Sequence, residues 1–270
     1  MLQRQFLMNA LIGGVAVVFG GTQLIPASDT NGPIVTSAIS FIGGKTVAND
    51  KSKADSAVTG MSPVAVALAA FQLVVRPLSD SRALGDAFGS YFAYKSAHPN
   101  DVRKPYLYFV DYGLPSTMPR GYVFDMQLLA IIDGPFTVAH GRGSSRSKDG
   151  VPTRFSNAPG SAATSLGLYV AQGIYSFHGK AGGRSYASVG LRLQGVSEGY
   201  NDNALARRVV AHGAPYVTPT KAGRSEGCPA MEPSRARRLL PELANGGMVF
   251  LFAPDADWMK RDQWVAASAE

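Results

Sequence analysis

The sequence predicts an α+β domain that is mostly β, with a short helical segment ahead of it, on three observations. Beyond Asn100 the chain breaks into short runs rich in Val, Tyr, Phe and Leu, separated by turn residues. Before them lie two stretches with helical patterning. The hydrophobic fraction of 46% in 270 residues is ample for a packed core, and no internal repeat is evident.

The elements follow in order. Arg4 precedes an apolar stretch from Ala10 to Phe19, and Ile25-Pro26-Ala27 closes it before small and polar residues. Residues 1–27 therefore resemble a cleaved secretory signal, although the span from Phe6 to Ile25 has the 20 residues that one uncleaved membrane helix needs. A signal peptide and a membrane anchor both stay open. Residues 28–60 are rich in Ser, Thr, Ala, Gly, Asp and Lys, with Phe41 the single aromatic, and read as a linker. Residues 61–99 form the helical lead-in. Ser62-Pro63 suits an N-cap and first helical position for a helix from Val64 to Arg76 that Pro77 stops. A second helix is expected from Ser81 to Ser96, with Leu84, Phe88, Tyr91 and Phe92 on one face.

Residues 100–255 carry the expected strands: Tyr106 to Asp111, Gly121 to Asp125, Phe136 to His140, Ser165 to Ala171, Val189 to Leu193, Val209 to His212 and Met248 to Ala253. Gly141 to Gly150 and Gly179 to Ser188 read as loops around the sheet. Pro233 opens a helix carrying Leu239, Leu240 and Leu243, which Pro241 is expected to bend or split and Asn245-Gly246-Gly247 to close. Residues 256–270 read as a C-terminal tail.

The formal net charge of +7 favours anionic partners such as nucleic acid, phospholipid head groups or an acidic wall polymer. The basic residues are scattered, and Arg235, Arg237 and Arg238 fall on a helix where a solvated face is the default, so nucleic acid is not expected. The one cysteine, Cys228, cannot form an intrachain disulfide in an oxidising compartment; it is either buried and inert or kept for reactivity. His212 lies sixteen residues upstream. A thiolate is the reactive form of cysteine, and an imidazole can take the thiol proton, so this pair points to acyl transfer. Gly227 lets the chain approach a substrate closely, which makes the N–H groups of Gly227 and Cys228 candidate oxyanion donors. His140 sits either in a site-facing loop or in a tight turn. A zinc site from His140, His178, His212 and Cys228 lacks any close-spaced ligand pair, so no metal and no cofactor are expected.

Several segments together resemble the murein L,D-transpeptidase (YkuD-like) catalytic domains, in the branch with a helical lead-in. They are Tyr108-Phe109-Val110-Asp111-Tyr112, Val138-Ala139-His140-Gly141-Arg142-Gly143, Phe155-Ser156-Asn157, Ser165-Leu166-Gly167, Asn201-Asp202-Asn203-Ala204, His212-Gly213-Ala214 and Ser225-Glu226-Gly227-Cys228-Pro229. The resemblance implies a β-sandwich or barrel-like fold in which Cys228 forms an acyl-enzyme from a peptidoglycan stem peptide, with His212 as base and the Gly213 backbone carbonyl orienting its imidazole. With the signal-like N-terminus, an exported protein acting in the periplasm or cell envelope is expected, with a membrane tether through the N-terminus left open, and a monomer is expected. Hydrolysis of stems by the same thiol, or a wall-binding module without catalysis, are the alternatives. Two departures stand out: Glu226 replaces a histidine of the commoner motif, and Ala230 replaces an arginine or asparagine. Glu226 is expected to face solvent or pair with Arg224, Ser225 to hydrogen-bond within the loop, and Arg224 or Arg142 to supply a carboxylate-binding charge.

Overall fold

Eight strands form one mixed sheet in the order Ala230–Met231, Val210–Gly213, Arg184–Gly195, Gly167–Ala181, Met248–Phe252, Tyr106–Asp111, Gly121–Asp125 and Ala130–Phe136, and the candidate site lies toward its Ala230–Met231 end. The structure, a computed structural model, describes residues 60–147 and 149–267. The expected signal or anchor and nearly all of the linker lie outside the described residues. Among the described residues no helix is long and apolar enough to cross a membrane.

The helical lead-in belongs to the core of the sheet. Helix α1 (Pro63–Phe71) starts where Ser62 accepts a hydrogen bond from the Ala65 N–H at 3.2 Å. It ends at Phe71 and not at Arg76, because Leu73 and Val74 have no core to face and stay exposed. Helix α2 is Ala83–Ala97. Phe71 of α1 and Phe88 of α2 meet Phe124 of the sheet with ring centroids 4.7–5.5 Å apart, a three-way aromatic junction that a β domain alone would leave open.

Strands β1 (Tyr106–Asp111), β2 (Gly121–Asp125) and β12 (Met248–Phe252) are buried along almost their whole length, which explains their continuous apolar sequence. The run expected from Phe136 to His140 divides. Strand β3 (Ala130–Phe136) ends where it was expected to begin, and the next extended pair is β4 (His140–Gly141). The residues between them bond elsewhere: the Val138 carbonyl accepts from the Arg120 guanidinium and the Ala139 N–H donates to Ala230. Pro135 fits β3 because that strand lies at the edge of the sheet.

The segment Gly179 to Ser188, expected as a loop, is instead paired strand. Strand β5 (Gly167–Ala181) and strand β6 (Arg184–Gly195) form a long hairpin closed by Gly182 and Gly183, with φ of +56° and +78°. Two consecutive positive φ values define the two-residue turn whose twist matches paired strands, and glycine adopts them without steric cost. Strand β7 (Val210–Gly213) lies against β6, followed by the short hairpin of β8 (Val217–Thr218) and β9 (Lys221–Ala222). Strand β10 (Arg224–Ser225) pairs in parallel with β4, and β11 (Ala230–Met231) in parallel with β7.

Helix α3 (Pro233–Leu243) is continuous through Pro241, with Ala236, Leu239, Leu240 and Leu243 buried. Pro241 falls in the last turn, and Lys104 donates to the Pro241 and Glu242 carbonyls at 3.1 and 2.7 Å, satisfying a helix end. The stretch from 256, expected as a tail, holds α4 (Ala256–Arg261) and α5 (Gln263–Ala266). Trp258 of α4 packs 5.9 Å from the rings of Phe250 and Phe252, and Trp264 of α5 packs 4.9 Å from Tyr94. These tryptophans anchor the end of the chain to the same core.

Asp86 is a cost within this core. Its carboxylate is buried with one oxygen unpartnered, and Arg82 donates to the other at 3.3 Å. Burial pushes its pKa up to about 6, against the opposing Arg82 charge. A raised carboxylate pKa means the native state holds the proton more tightly, so the contribution to stability is present at low pH and is lost as pH rises through about 6. Asp86→Asn is therefore expected to raise stability by on the order of 1–2 kcal/mol at pH 7 to 8 and by much less below pH 4. Urea midpoints of both proteins across that range test this; a constant difference would refute it.

Candidate active site

His212 sits on β7, paired with Gly190 of β6 on one side and Ala230 of β11 on the other. Gly190 is required by its neighbours: a Cβ there would lie 2.7 Å from the Tyr175 ring and 3.1 Å from Phe177. With that space open, Phe177 stacks on the His212 imidazole at 4.1 Å between centroids and 19° between planes. The His212 Nδ1 lies 3.1 Å from the Gly213 carbonyl oxygen. A carbonyl only accepts, so Nδ1 carries the proton and Nε2 keeps its lone pair. Gly213 has no room for a side chain, since a Cβ would lie 2.4 Å from the Ser188 hydroxyl. Burial pushes the His212 pKa down to about 4, only partly offset by the Gly213 hydrogen bond.

Cys228 is half-buried on the loop between β10 and β11. The loop is braced from inside. Ser225 donates to the Cys228 carbonyl at 2.6 Å and accepts from the Gly227 N–H at 3.2 Å. The next carbonyl, that of Pro229, accepts from the His212 N–H at 3.3 Å. Cys228 and His212 thus lie on directly bonded segments. Gly227 has φ +123° and lies against the Ala163 carbonyl, 2.8 Å from where a Cβ would be. Burial pushes the Cys228 thiol pKa up; a hydrogen bond with the Val210 backbone and the Arg207 charge work the other way, and Glu226 adds to the rise. With the thiol raised and the imidazole lowered, both are neutral near pH 7.

The remaining expected residues separate into different places. His140 is fully buried, its Nδ1 accepting from Arg120 at 3.0 Å and its Nε2 without a partner. Burial and the Arg120 and Arg224 charges hold its pKa at about 3, so it is neutral. Arg120, also fully buried, donates to the Val138 and Leu114 carbonyls and lies 4.8 Å from the Tyr112 ring centroid. Glu226 is exposed to solvent, one of the two places expected for it, and its partner is Arg142 and not Arg224: the Arg142 Nε reaches both carboxylate oxygens at 2.7 and 2.8 Å. Arg224 donates instead to the Ser145 and Arg146 carbonyls, tying β10 to the 141–150 loop.

Arg207 is the residue the sequence reading missed. Its guanidinium donates to the Ser156 and Ala163 carbonyls and to the Ser161 and Ser165 hydroxyls, and lies 3.6 Å from the Cβ position of Gly227. It is the cation whose charge lowers the thiol pKa. In the sequence it looks like half of an ordinary surface pair, Arg207-Arg208. Among the described residues no three His, Cys, Asp or Glu side chains converge as a metal site would need.

Among solved structures the chain is similar to an L,D-transpeptidase from Mycobacterium smegmatis, with 14% identity and a TM-score of 0.34 over 55% of this chain and 59% of that one. It is also similar to an L,D-transpeptidase from Stackebrandtia nassauensis, at 17% identity and a TM-score of 0.34 over 64% of this chain and 67% of the other. A third, residues 123–326 of an L,D-transpeptidase from Xylanimonas cellulosilytica, gives 12% identity and a TM-score of 0.33 over 72% and 94%. The chain thus spans 59% of the length of the M. smegmatis protein. A search of curated proteins found no match. The family model described as the L,D-transpeptidase catalytic domain matches residues 79–252, a stretch that takes in α2, His212, Cys228 and every strand of the sheet. The chain belongs to the L,D-transpeptidase catalytic domain family.

Proposed function

We propose that the protein is a cysteine acyltransferase acting on peptidoglycan stem peptides in the cell envelope, with Cys228 as nucleophile and His212 as general base. The observation that carries this reading is the 3.1 Å contact of His212 Nδ1 with the Gly213 carbonyl, which assigns the proton to Nδ1 and leaves the Nε2 lone pair to accept one. Nε2 takes the thiol proton as sulfur attacks the amide carbonyl. The C–N bond then breaks, and the proton passes from the imidazolium to the departing amine, leaving a thioester on Cys228. The amine of a second stem attacks that thioester, forms the new amide and restores the thiol. The Gly227 N–H is held by the Ser225 hydroxyl, so the Cys228 N–H is the better-placed oxyanion donor of the two, once the thioester carbon sits at sulfur.

Incubating the full-length chain with tetrapeptide-stem muropeptides and weighing the products tests the proposal. Cross-linked dimers are expected, together with an acyl adduct on Cys228 that Cys228→Ala abolishes. Tripeptide products alone would assign the hydrolytic reaction instead. An unchanged product profile in Cys228→Ala would remove the mechanism altogether.

A further inference from the structure

Beside the nucleophile loop lies an open groove of about 530 Å³, within the size range of sites that hold a small ligand. Four cations line it, Arg142, Lys180, Lys221 and Arg224, and no acidic residue does. They come from four separate places in the fold: the loop after β4, the tip of the β5–β6 hairpin, the β8–β9 hairpin and β10. The two arginines are held in position. Arg224 is fixed by the Ser145 and Arg146 carbonyls, and Arg142 by Glu226. The two lysines are exposed, and among the described residues neither forms an ion pair. Glu226 offsets the Arg142 charge, but Lys180, Lys221 and Arg224 form no ion pair among the described residues; on one concave surface these like charges repel each other, and an anion placed among them relieves that repulsion.

Several residues lining the groove flank the reactive pair in the chain. Tyr216, four residues after His212, shares the lining with Gly223 and Arg224, the latter four residues before Cys228. Gly223 packs on the Tyr216 ring, 3.0 Å from a Cβ placed there. A thiolate at Cys228 contributes to raising the Tyr216 pKa, after burial and Tyr186.

We propose that this groove is a carboxylate-recognition subsite that makes the protein select stem peptides carrying a free carboxylate over the same peptides with that group amidated. The inference rests on the stem-peptide reading above and adds a specificity to it. The cations are spread over a groove that also presents Pro215, Tyr216 and Ala181, a surface shaped for a peptide with dispersed negative charge. A phosphate group is bound more compactly, by converging backbone N–H donors.

The test compares the full-length protein with Lys180→Glu/Lys221→Glu, a variant changed only at exposed positions. Three readouts are taken, the third being protection of Cys228 from alkylation by inorganic phosphate or by the carboxylated stem. The first is kcat/KM for a tetrapeptide-stem muropeptide with a free carboxylate and for its amidated counterpart. The native protein is expected to favour the free carboxylate by about tenfold or more, less so as salt rises from about 0.05 to about 0.5 M, and the variant to lose that preference. The second is the ratio of Cys228 alkylation rates by iodoacetate and by iodoacetamide, which reads the field at the thiol without any stem chemistry. That ratio is expected to fall by about three- to tenfold in the variant. Equal use of both stems by the native protein, or an alkylation ratio unmoved by the variant, overturns the subsite. Protection of Cys228 by inorganic phosphate but not by the carboxylated stem overturns the carboxylate assignment in favour of a phosphate site. If no stem is turned over while the alkylation ratio still falls, the anion groove stands and the stem-peptide reading fails.

Discussion

His212→Gln is expected to slow acylation of Cys228 by about 10²- to 10⁴-fold while leaving the protein folded, because the change removes the proton acceptor and little else. Glutamine offers an amide in place of the ring and can still donate to the Gly213 carbonyl, but its side chain has no lone pair basic enough to take a thiol proton. As the proposed base, the same residue is expected to set the acid limb of activity. Burial favours the neutral ring, so His212 takes up a proton in the free enzyme only as pH falls through about 4, and acylation is expected to hold its rate down to that region before failing. Stability moves in the same direction. The unfolded chain binds this proton near the ordinary histidine pKa and the native state does not, so native stability declines as pH falls from about 6.5 toward 4. Rates of adduct formation by intact mass, taken against pH for both proteins, check these statements. A drop of less than threefold on substitution, or an acid limb near 6.5, would show that His212 is not the base.

Gly141→Ala is expected to cost about 1–3 kcal/mol of stability and to slow acylation by about 10²-fold. A Cβ at Gly141 would stand 2.4 Å from the Ala162 carbonyl oxygen, 2.7 Å from the Gly227 Cα and 2.9 Å from the Thr164 nitrogen. All three are backbone atoms, so no side chain can rotate out of the way. The Gly141 N–H also donates to the buried Thr164 hydroxyl at 2.9 Å, which fixes the strand from the other side. Relief must come from parting β4 and the 162–164 segment from the nucleophile loop, and a displacement of about an ångström at Cys228 is enough for a loss of that size. Gly85→Ala is the matched control: nothing lies within 4 Å of its Cβ position on α2, and a gain of about 0.5–1 kcal/mol is expected there. Urea unfolding and adduct kinetics on the two variants separate the cases; normal acylation in Gly141→Ala would mean the loop tolerates the methyl group.

The local bonds of the candidate site were easier to read from the sequence than its long-range supports. Cys228, His212 and the Gly213 carbonyl are local features of two short segments, and the Ser225 hydroxyl bonds within its own loop as expected. Arg207 was not legible because its bonds run to residues more than forty positions away, at Ser156, Ser161, Ala163 and Ser165. The partner of Glu226 was misread for the same reason: Arg142 lies 84 positions from it and reaches it only through the pairing of β4 with β10. In the β5–β6 hairpin the local signal was present but outweighed by composition. Tyr175 and Phe177 alternate with polar residues as a strand requires, yet Gly179, Gly182 and Gly183 gave the segment the look of a loop. The tail was misjudged because two tryptophans in a short polar stretch reveal nothing until Phe250, Phe252 and Tyr94 are placed beside them.

The position of β12 governs how the chain can fold. This strand, the last among the described residues, pairs in parallel with β1 and antiparallel with β5, so it lies in the middle of the sheet between halves made much earlier. Until residues 248–252 are available, β1 to β3 on one side and β5 to β7 on the other have no shared partner. A chain emerging from the ribosome can form hairpins and little more, and the closing contact spans some 140 residues, from Tyr108 to Val249. Slow, all-or-none assembly of the finished chain is the consequence, and until it occurs Cys228 has no ordered neighbour with which to react.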